Sequence, residues 1–521
     1  MTDPQHSPST GPWPVPGRPR TKRWYVLWGG AATLLVAAVV YFLAADTWGT
    51  RAYLFDRCAE GVWEQGPDDE CVGVTDGAYS FDDSLDAVTR AIHEENQRVE
   101  KTGKPWVAVA YVHPLTAGGS GLADNSARQE LEGARLAQYA LNRHEVGGHG
   151  DVPQIKLLLG NPGARGQQHE KLVGQLAEMQ DDEEHRLVAV TGFGPSYATT
   201  KKIIEELRSL GLPLVGGTST ADNLTDGDQV GFFRVSNPNR SEAAAAARHL
   251  KDLQDKNDGF RVDVIEDRSG EEVDTGNELY STSLYRGFAD AAEKQGLKLE
   301  RLGLDYSSNA PATATAFSSI AERVCREKLD ALYFAGRGKE LRQFITAMSA
   351  FGQRCPVTVF TGDDAVGMYA DGQEGDEARK RFTDAWERSG VTVRYTALAH
   401  PDLWRDGYPG GRADPMPEFA ERYEKLTGRG RGDLDDGQAI AVHDAVLVAG
   451  TAVRDAWPAK TERYSGAVRQ MLLQVKEGNE VAGLSGLIRF DDAGNPDDKV
   501  LPIVELRPSG GQFVFREGVE P

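Results

Sequence analysis

The sequence is short of basic residues and of cysteine, and both shortages argue against classes of function. Its 58 Lys and Arg residues stand against 79 Asp and Glu residues, which gives a formal net charge of -21 at pH 7. Such a surface repels the phosphates of nucleic acids, and no basic stripe offsets it, so nucleic-acid binding is set aside. The four cysteines form no CxxC pair, so zinc ribbons and thioredoxin chemistry lack support as well.

The few cysteines that are present fit an oxidising compartment, where they would form disulfides. They are Cys58, Cys71, Cys325 and Cys355. Three pairings are possible among four cysteines, and the natural expectation is the two local ones, Cys58 with Cys71 and Cys325 with Cys355.

Long apolar runs are scarce too, since residues 24–44 form the one such run and carry no charge. A helix of this length spans a hydrocarbon core of roughly 30 Å. Four basic residues precede it: Arg18, Arg20, Lys22 and Arg23. The positive-inside rule therefore predicts a disordered, Pro-rich cytoplasmic tail at 1–23 and a single-pass anchor at 24–44, with the rest outside the cytoplasm. A signal cleaved near 43–45 is the alternative, and it exports the same domain.

From residue 105 onward, short apolar runs alternate with helical patterns. The run WVAVAYVHPL at 106–115 is continuous, as in a parallel strand buried on both faces. Such alternation predicts an α/β fold of parallel sheets covered by helices, and the number of strands favours two lobes. Residues 45–104, which include Cys58 and Cys71, are set apart as an extracytoplasmic lead-in.

The pattern is less regular in the second half of the predicted domain. A strand is expected at 298–304, and a long surface excursion rich in Gly, Asp and Arg at 368–412. A helix at 437–456 resumes the fold. The cluster at 491–495 predicts a turn between the last strands.

Ser196 is the first candidate site residue, because it lies in TGFGPSYATT between a predicted strand and a predicted helix. A helix N-terminus offers free N–H groups and the positive end of a dipole, which suits a carboxylate or a phosphate. A plain helix N-cap is the alternative interpretation.

The loop GGTSTA at 216–221 follows the next predicted strand and supplies Thr218, Ser219 and Thr220. Ligands of open α/β sheets bind beyond the carboxyl ends of strands, so these hydroxyls and Ser196 form one candidate site. Asp363 and Asp364 follow the strand at 357–361 and could neutralise a ligand ammonium. A solvated turn is the alternative for this acidic pair.

No enzymatic, metal or cofactor site is expected. Residues 194–198 come close to a G-x-S-x-G nucleophile elbow, but a hydrolase also needs a histidine later in the chain. The candidates are His249, His400 and His443, and the last lies among apolar helical residues. The segment HEVGGH at 144–149 spaces its histidines five apart and contains two glycines, so it is not a zinc motif.

Taken together, the order of elements and motifs resembles the type I periplasmic solute-binding proteins, specifically the branched-chain amino-acid (Leu/Ile/Val) binding family of ABC transporters. The resemblance spans residues 105 to 515. The matching segments are PLT at 114–116, GARLA at 133–137 leading to Asn142, 192–196, 212–225, 333–336, 362–367, and Gly486 followed by Phe490, Asp491 and Gly494.

The resemblance implies two Rossmann-like parallel sheets joined by three crossing strands, with a ligand in the cleft between two lobes. Lobe 1 would take about 105–237 and 395–480, and lobe 2 about 238–394 and 481–515. An ABC permease and an ATPase are the implied partners, together with a small-molecule solute such as an amino acid.

The resemblance also implies roles for single residues. Ser196, Thr218 and Thr220 fall where relatives hold the carboxylate and amino groups of the ligand, and Asp364 falls where an acid meets the ammonium. No tyrosine matches the family's position around Thr275. Arg337 or Gly338 stands at a family aromatic position, and Arg337 could meet an anionic ligand group or face solvent.

The expected function is therefore that of a membrane-anchored, extracytoplasmic solute-binding protein of an ABC importer, which binds its solute without transforming it and needs no cofactor. An extracellular sensor domain that signals through a membrane partner is the alternative, because it would use the same fold. The cytoplasmic tail of about twenty residues contains no recognisable signalling module.

Overall fold

The computed structural model describes most of the chain from residue 57 onward. The described ranges are 57–116, 123–143, 145, 150–180, 182–224, 231–271, 278–351, 354–369, 376–457, 464–508 and 512–520. The predicted tail and anchor at 1–44 and most of the HEVGGH segment lie outside these ranges. Within them, no helix is both long enough and apolar enough to cross a membrane.

The first sheet contains eight strands. They are β1 (Arg57–Ala59), β2 (Val62–Gln65), β3 (Glu70–Thr75), β4 (Trp106–Val112), β5 (Gln154–Asn161), β6 (Leu187–Gly192), β7 (Leu214–Gly216) and β8 (Phe232–Arg234). Their order is β1-β2-β3-β5-β4-β6-β7-β8. Strands β4, β5, β6, β7 and β8 are parallel to one another, whereas β2 and β3 add an antiparallel edge. Part of the proposed lead-in therefore extends this sheet.

The second sheet has seven strands and a mixed topology. They are β9 (Val262–Asp267), β10 (Leu304–Tyr306), β11 (Ala331–Ala335), β12 (Val357–Thr361), β13 (Val391–Thr396), β16 (Leu501–Arg507) and β17 (Gln512–Val519). Their order is β10-β9-β11-β12-β13-β16-β17, and the last two strands are antiparallel to their neighbours. A separate hairpin pairs β14 (Val481–Gly483) with β15 (Gly486–Ile488).

Twelve α-helices are found in the described ranges. They are α1 (Asp86–Lys101), α2 (Ala123–Asn142), α3 (His169–Gln180), α4 (Ala198–Ser209), α5 (Asn239–Lys256), α6 (Tyr280–Gln295), α7 (Thr313–Glu327), α8 (Gly338–Ala350), α9 (Asp376–Ser389), α10 (Met416–Thr427), α11 (Gln438–Asp455) and α12 (Tyr464–Leu472). Most connect successive parallel strands, as the alternation in the sequence predicts.

Both faces of each sheet are buried beneath helices. In β4, Val107, Val109 and Tyr111 pack with α1, α2, α11 and α12, while Ala108 and Ala110 face α3 and α4. Helices α7, α8 and α9 cover one face of the second sheet, and α5 and α6 cover the other. Because both side-chain sets of a strand are buried, the strand reads as a continuous apolar run.

Three chain segments cross between the sheets, at 235–238, 397–415 and 489–500. Side-chain hydrogen bonds join the first and third: Arg234 Nε donates to Asn495 Oδ1 at 2.9 Å, and Asn237 Nδ2 donates to the Lys499 carbonyl at 3.0 Å. The second is fixed by Ala397 N–H, which donates to the Pro502 carbonyl at 2.9 Å. This arrangement fits the expected two-sheet architecture.

Two expectations about secondary structure are wrong. The predicted strand at 298–304 is wrong, because the strand in this region is β10, which begins only at Leu304. Within the predicted range, Leu299 forms one isolated β-bridge to Val262. The predicted surface excursion at 368–412 contains helix α9 and the central strand β13. Its many charged residues lie on the outer face of α9, while Phe382 and Trp386 are buried against the sheet.

Both expected disulfides are present. Cys58 is bonded to Cys71 and joins β1 to β3, and Cys325 at the end of α7 is bonded to Cys355 just before β12. Their sequence separations are 13 and 30 residues.

Replacing Cys325 and Cys355 by alanine should lower the free energy of unfolding by about 3–4 kcal/mol, because the cross-link restricts the unfolded chain. Urea titration of the oxidised chain and of the double variant measures the loss. In reductant, which also opens Cys58–Cys71, the wild type and the double variant should have the same free energy of unfolding. Equal stability of the oxidised wild type and the variant would contradict a stabilising cross-link.

Candidate functional site

A small cavity lies between the two sheets, at loops that follow the carboxyl ends of parallel strands. Its volume is about 50 Å³. The first sheet and its helices contribute His113, Ser126, Glu130, Ser196, Thr218 and Thr220. The second contributes Tyr280, Arg337, Asp363, Asp364 and Val366. The placement follows the general rule for ligand sites in α/β sheets.

The loops after β6 and β7 are bonded to each other on the first side of the cavity. Ser196 Oγ accepts the Ala221 N–H at 3.2 Å, and Ser219 Oγ donates to the Gly194 carbonyl at 2.9 Å. Gly194 has a φ of +59°, and an added Cβ would lie 2.8 Å from the His113 ring, so glycine suits this close approach. Since α4 begins at Ala198, the hydroxyl of Ser196 serves the loop contact rather than the end of the helix.

Arg234 supports the same loop from behind. Its fully buried guanidinium donates from Nη1 to the Ala221 carbonyl at 2.7 Å and to the Ser219 carbonyl at 3.3 Å. Burial lowers the pKa of Arg234 to about 10, so the side chain still carries its charge at neutral pH. Because Nε contacts Asn495, one side chain links the cleft loop to a segment that crosses between the sheets.

A buried carboxylate on α2 faces the cavity beside these hydroxyls. Glu130 accepts hydrogen bonds from Tyr111 Oη at 2.6 Å and from Thr218 Oγ1 at 3.3 Å, and it lies 3.5 Å from His113 Nε2. His113 Nδ1 lies 2.9 Å from the Pro114 carbonyl and must donate to it. Burial lowers the pKa of His113, but the charge of Glu130 and the hydrogen bonds to Glu130 and to the Pro114 carbonyl together outweigh that effect, and the net shift is upward.

Two adjacent acids form the opposite wall. Thr220 Oγ1 donates to Asp363 Oδ1 at 3.2 Å, which is a direct bond between loops of the two sheets. The Asp363 N–H donates to Glu242 Oε2 at 3.1 Å. Burial raises the pKa of Asp363 to about 7, with a further contribution from the charge of Asp364. Burial and the charge of Asp363 also raise the pKa of Glu242. Asp363 is therefore partly protonated near neutral pH.

Arg337 lines the cleft, and three of its five N–H donors are engaged. Nε and Nη2 donate to the two oxygens of Glu278 at 2.8 and 3.0 Å, and Nη1 donates to Asp364 Oδ2 at 3.4 Å. Burial raises the pKa of Asp364 to about 6, against the opposing effect of Arg337. An added Cβ at Gly338 would lie 2.4 Å from the Asp364 carbonyl, so the backbone needs glycine directly after Arg337.

Aromatic rings from both sides cover the guanidinium of Arg337. Its Cζ lies 4.7 Å from the ring centroid of Tyr197, which precedes α4, and 4.9 Å from that of Tyr280, which begins α6. Tyr197 also forms an isolated backbone bridge with Glu278. Cation–π contact is strongest when the charge is shielded from water, as here.

The structure brings most of the proposed site residues together. Ser196, Thr218, Thr220, Asp364 and Arg337 all line the cavity. Ser219 is fully buried behind the wall and bonds the neighbouring loop.

Sequence reasoning missed Glu130, Glu278, His113 and Tyr280. Glu130 had a signal, because it precedes Leu131 and lies four residues before Ala134 on the buried face of α2. Tyr280 lies only five residues after Thr275, where no tyrosine was found, and it lines the cavity. Glu278 caps the start of α6 through the Tyr280 and Ser281 N–H groups at 2.9 and 3.2 Å.

The histidines that a hydrolase mechanism would require have other partners. His249 Nδ1 lies 3.3 Å from Glu517, His400 Nδ1 accepts the Asp402 N–H at 3.1 Å, and His443 Nδ1 lies 3.1 Å from Asp444. Among the described residues, no group of three or more His, Cys, Asp or Glu side chains is arranged to hold a metal ion.

Several solved structures share this architecture. A leucine-bound ABC transporter substrate-binding protein from Desulfitobacterium hafniense is 19% identical, with a TM-score of 0.55 over 79% of this chain and 100% of that one. The isoleucine-bound branched-chain amino acid transporter substrate binding protein LivJ from Streptococcus pneumoniae is 17% identical, with a TM-score of 0.56 over 80% and 100%. A benzoate-bound solute binding protein from R. palustris is 14% identical, with a TM-score of 0.55 over 80% and 97%.

The chain has the fold of type I substrate-binding proteins. This finding confirms the fold expected from the resemblance, namely two α/β sheets with a cleft between them. No protein-family model and no curated protein matches the sequence. Because the three structures hold different ligands, the substrate-binding-protein fold does not itself identify a ligand.

Replacing Asp363 by asparagine should stabilise the protein relative to wild type increasingly as the pH rises from about 4 to about 7. A buried carboxyl with a raised pKa contributes stability below its unfolded pKa and loses it as it ionises in the folded state. The gain accumulated above pH 7 should be on the order of 4 kcal/mol, because the pKa is raised by about three units and each unit corresponds to about 1.4 kcal/mol. Thermal unfolding at a series of pH values measures it.

Asp406→Asn is the matched control, because the Asp406 side chain is 92% exposed. Its difference from wild type should stay flat over the same pH range. Glu340 and Asp436, whose pKa values burial raises to about 7, are present in all three proteins, so their contributions cancel. A pH-independent difference for Asp363→Asn would refute the raised pKa.

Proposed function

We propose that this protein is an extracytoplasmic solute-binding protein that delivers a small polar molecule, such as an amino acid or a related compound, to an ABC importer. The observation that carries the proposal is the cavity between the two sheets, lined by hydrogen-bonding groups from both. A ligand there would contact both lobes, so its binding energy could favour one relative arrangement of them.

The cleft is suited to binding rather than to a reaction. Ser196 accepts a backbone N–H, and Glu130 and Asp363 accept hydrogen bonds from the neighbouring hydroxyls of Thr218 and Thr220. A nucleophile would need an adjacent general base with a free lone pair, whereas His113 lies between two acceptors. We therefore propose that the solute leaves chemically unchanged.

Residues 24–44 would anchor the protein as a single-pass transmembrane helix, with the binding domain on the outer side. The permease and ATPase subunits of the importer would be its partners. Transport is preferred over sensing because the three similar structures described above are those of ABC transporter substrate-binding or solute-binding proteins. The proposed Pro-rich tail at 1–23 would leave a sensor dependent on a separate signalling partner.

Ligand binding should raise the midpoint of thermal unfolding of the full chain in detergent when amino acids, small amines, amides, sugars and organic acids are screened. A ligand at about 100 times its dissociation constant adds about 2.7 kcal/mol to the free energy of unfolding. Ser196→Ala and Thr220→Ala should each reduce the shift, because they remove cavity hydroxyls. Ser318→Ala is the control, since Ser318 is an exposed serine on α7. A flat response across the whole screen, from well-folded protein, would count against solute binding.

The anchor should keep the intact chain in the membrane fraction through high-salt and carbonate washes, because those treatments do not extract a membrane-spanning helix. Protease added to cells with an exposed outer face should remove the domain and leave a fragment that contains 1–44. Mass spectrometry of the purified protein tests the alternative. A mature N-terminus near residue 45 would show a cleaved signal and contradict the anchor.

A further inference from the structure

The cavity has little room for an aliphatic side chain. Its aliphatic lining consists of Pro114, Pro195 and Val366, and the remaining lining residues carry polar groups. Its volume of about 50 Å³ is one third of the roughly 150 Å³ of an engineered apolar cavity that binds benzene. The site therefore fits a compact polar group better than a branched hydrocarbon chain.

Acidic groups outnumber basic ones around this cavity. Among the described residues, the carboxyls that line or directly back it are Glu130, Glu242, Glu278, Asp363 and Asp364, whereas the basic groups are His113, Arg337 and, behind the loop after β7, Arg234. His113 lies against Glu130, and Arg337 binds Glu278 through two donors. The positive charge near Asp363 and Asp364 consequently does not fully balance these two acids, and a ligand cation could supply the rest.

A ligand carboxylate would meet a competitor on the first side of the cleft. Glu130 already lies 3.3 Å from Thr218 Oγ1 and 3.5 Å from His113 Nε2, the donors that a carboxylate would use. A second anion at these donors would lie beside a carboxylate that is only 3% exposed, where water screens the repulsion poorly. At Arg337 a ligand carboxylate would also meet competitors, because Glu278 and Asp364 already accept hydrogen bonds from three of its five N–H donors.

We infer that the solute is a compact cationic amine without a carboxylate, with its ammonium group at Asp363 and Asp364 and its other end beside Glu130. This inference rests on the proposed function and narrows its ligand class. The hydroxyls of Ser196, Thr218 and Thr220 can accept or donate, so they would complete the hydrogen bonds of an N–H donor or a hydroxyl on the same ligand.

Ethanolamine and glycine form a matched pair of probes, because both carry an ammonium group on a two-carbon skeleton and differ in a hydroxyl versus a carboxylate. Isothermal titration calorimetry of the full chain in detergent, at one pH and one ionic strength, should show that ethanolamine binds at least about tenfold tighter than glycine. L-isoleucine tests the aliphatic alternative. Sodium chloride added to match ionic strength corrects for general attraction of cations to the acidic surface.

Variants connect the selectivity to the proposed residues. Asp364→Asn should weaken ethanolamine binding about tenfold or more, because it removes a charged acceptor. Glu130→Gln keeps the shape of the side chain and removes its charge, so it should lower the preference for ethanolamine over glycine by about tenfold. Glu418→Gln is the control for net charge, since the Glu418 side chain is 78% exposed. Thermal unfolding establishes that each variant is folded.

The outcomes separate this inference from the proposed function. Tighter binding of glycine or isoleucine than of ethanolamine would overturn the cationic-amine assignment while leaving a solute-binding protein. An unchanged ratio in folded Glu130→Gln would overturn the role of Glu130 in excluding carboxylates. Failure of the amines together with every compound of the broader screen would overturn the proposed function itself.

Discussion

The charge of Arg337 imposes the main constraint on the cleft. A guanidinium that is only 8% exposed is tolerated when its charge is matched and its donors are bonded, and here Glu278 and Asp364 provide both. Tyr197 reaches Arg337 from the first sheet, whereas Tyr280 and both acids belong to the second. The side chain is thus a contact point between the two halves of the site. Removing it would leave Glu278 as an uncompensated buried charge.

The way Arg337 is shared also affects the pKa values of the other carboxyls in the cleft. Asp364 shares Arg337 with Glu278, so little of the positive charge reaches Asp363. Asp363 therefore depends on Thr220, on Tyr280 and on protonation, and its backbone N–H stabilises Glu242 behind it. The fold holds the carboxyls of Glu242, Asp363 and Asp364 close together, although their like charges repel and a wider separation would be more stable. Such an arrangement is characteristic of a binding site rather than of a core optimised for stability.

The sequence predicts the fold better than it predicts the site. Strand β4 is recognisable in the sequence because burial on both faces makes it a continuous apolar run. Strand β13 was missed because Thr392 and Arg394 alternate with its valines, and α9 because it buries only a narrow stripe at Phe382, Ala385 and Trp386. The candidate loops were found from their positions after strands, which is a rule of local sequence order.

Long-range pairing explains why the chemistry of the cleft was not predictable. Glu130 meets Thr218 across 88 residues, and Arg337 meets Glu278 across 59, so neither partner is visible from its neighbours in sequence. Solved structures of similar fold hold ligands as different as isoleucine and benzoate. Selectivity must therefore come from a few loop and helix side chains. In this chain, the carboxyl groups among those side chains are not fully balanced by positive charge. The electrostatics of the cleft therefore say more about the solute than the fold of the protein does.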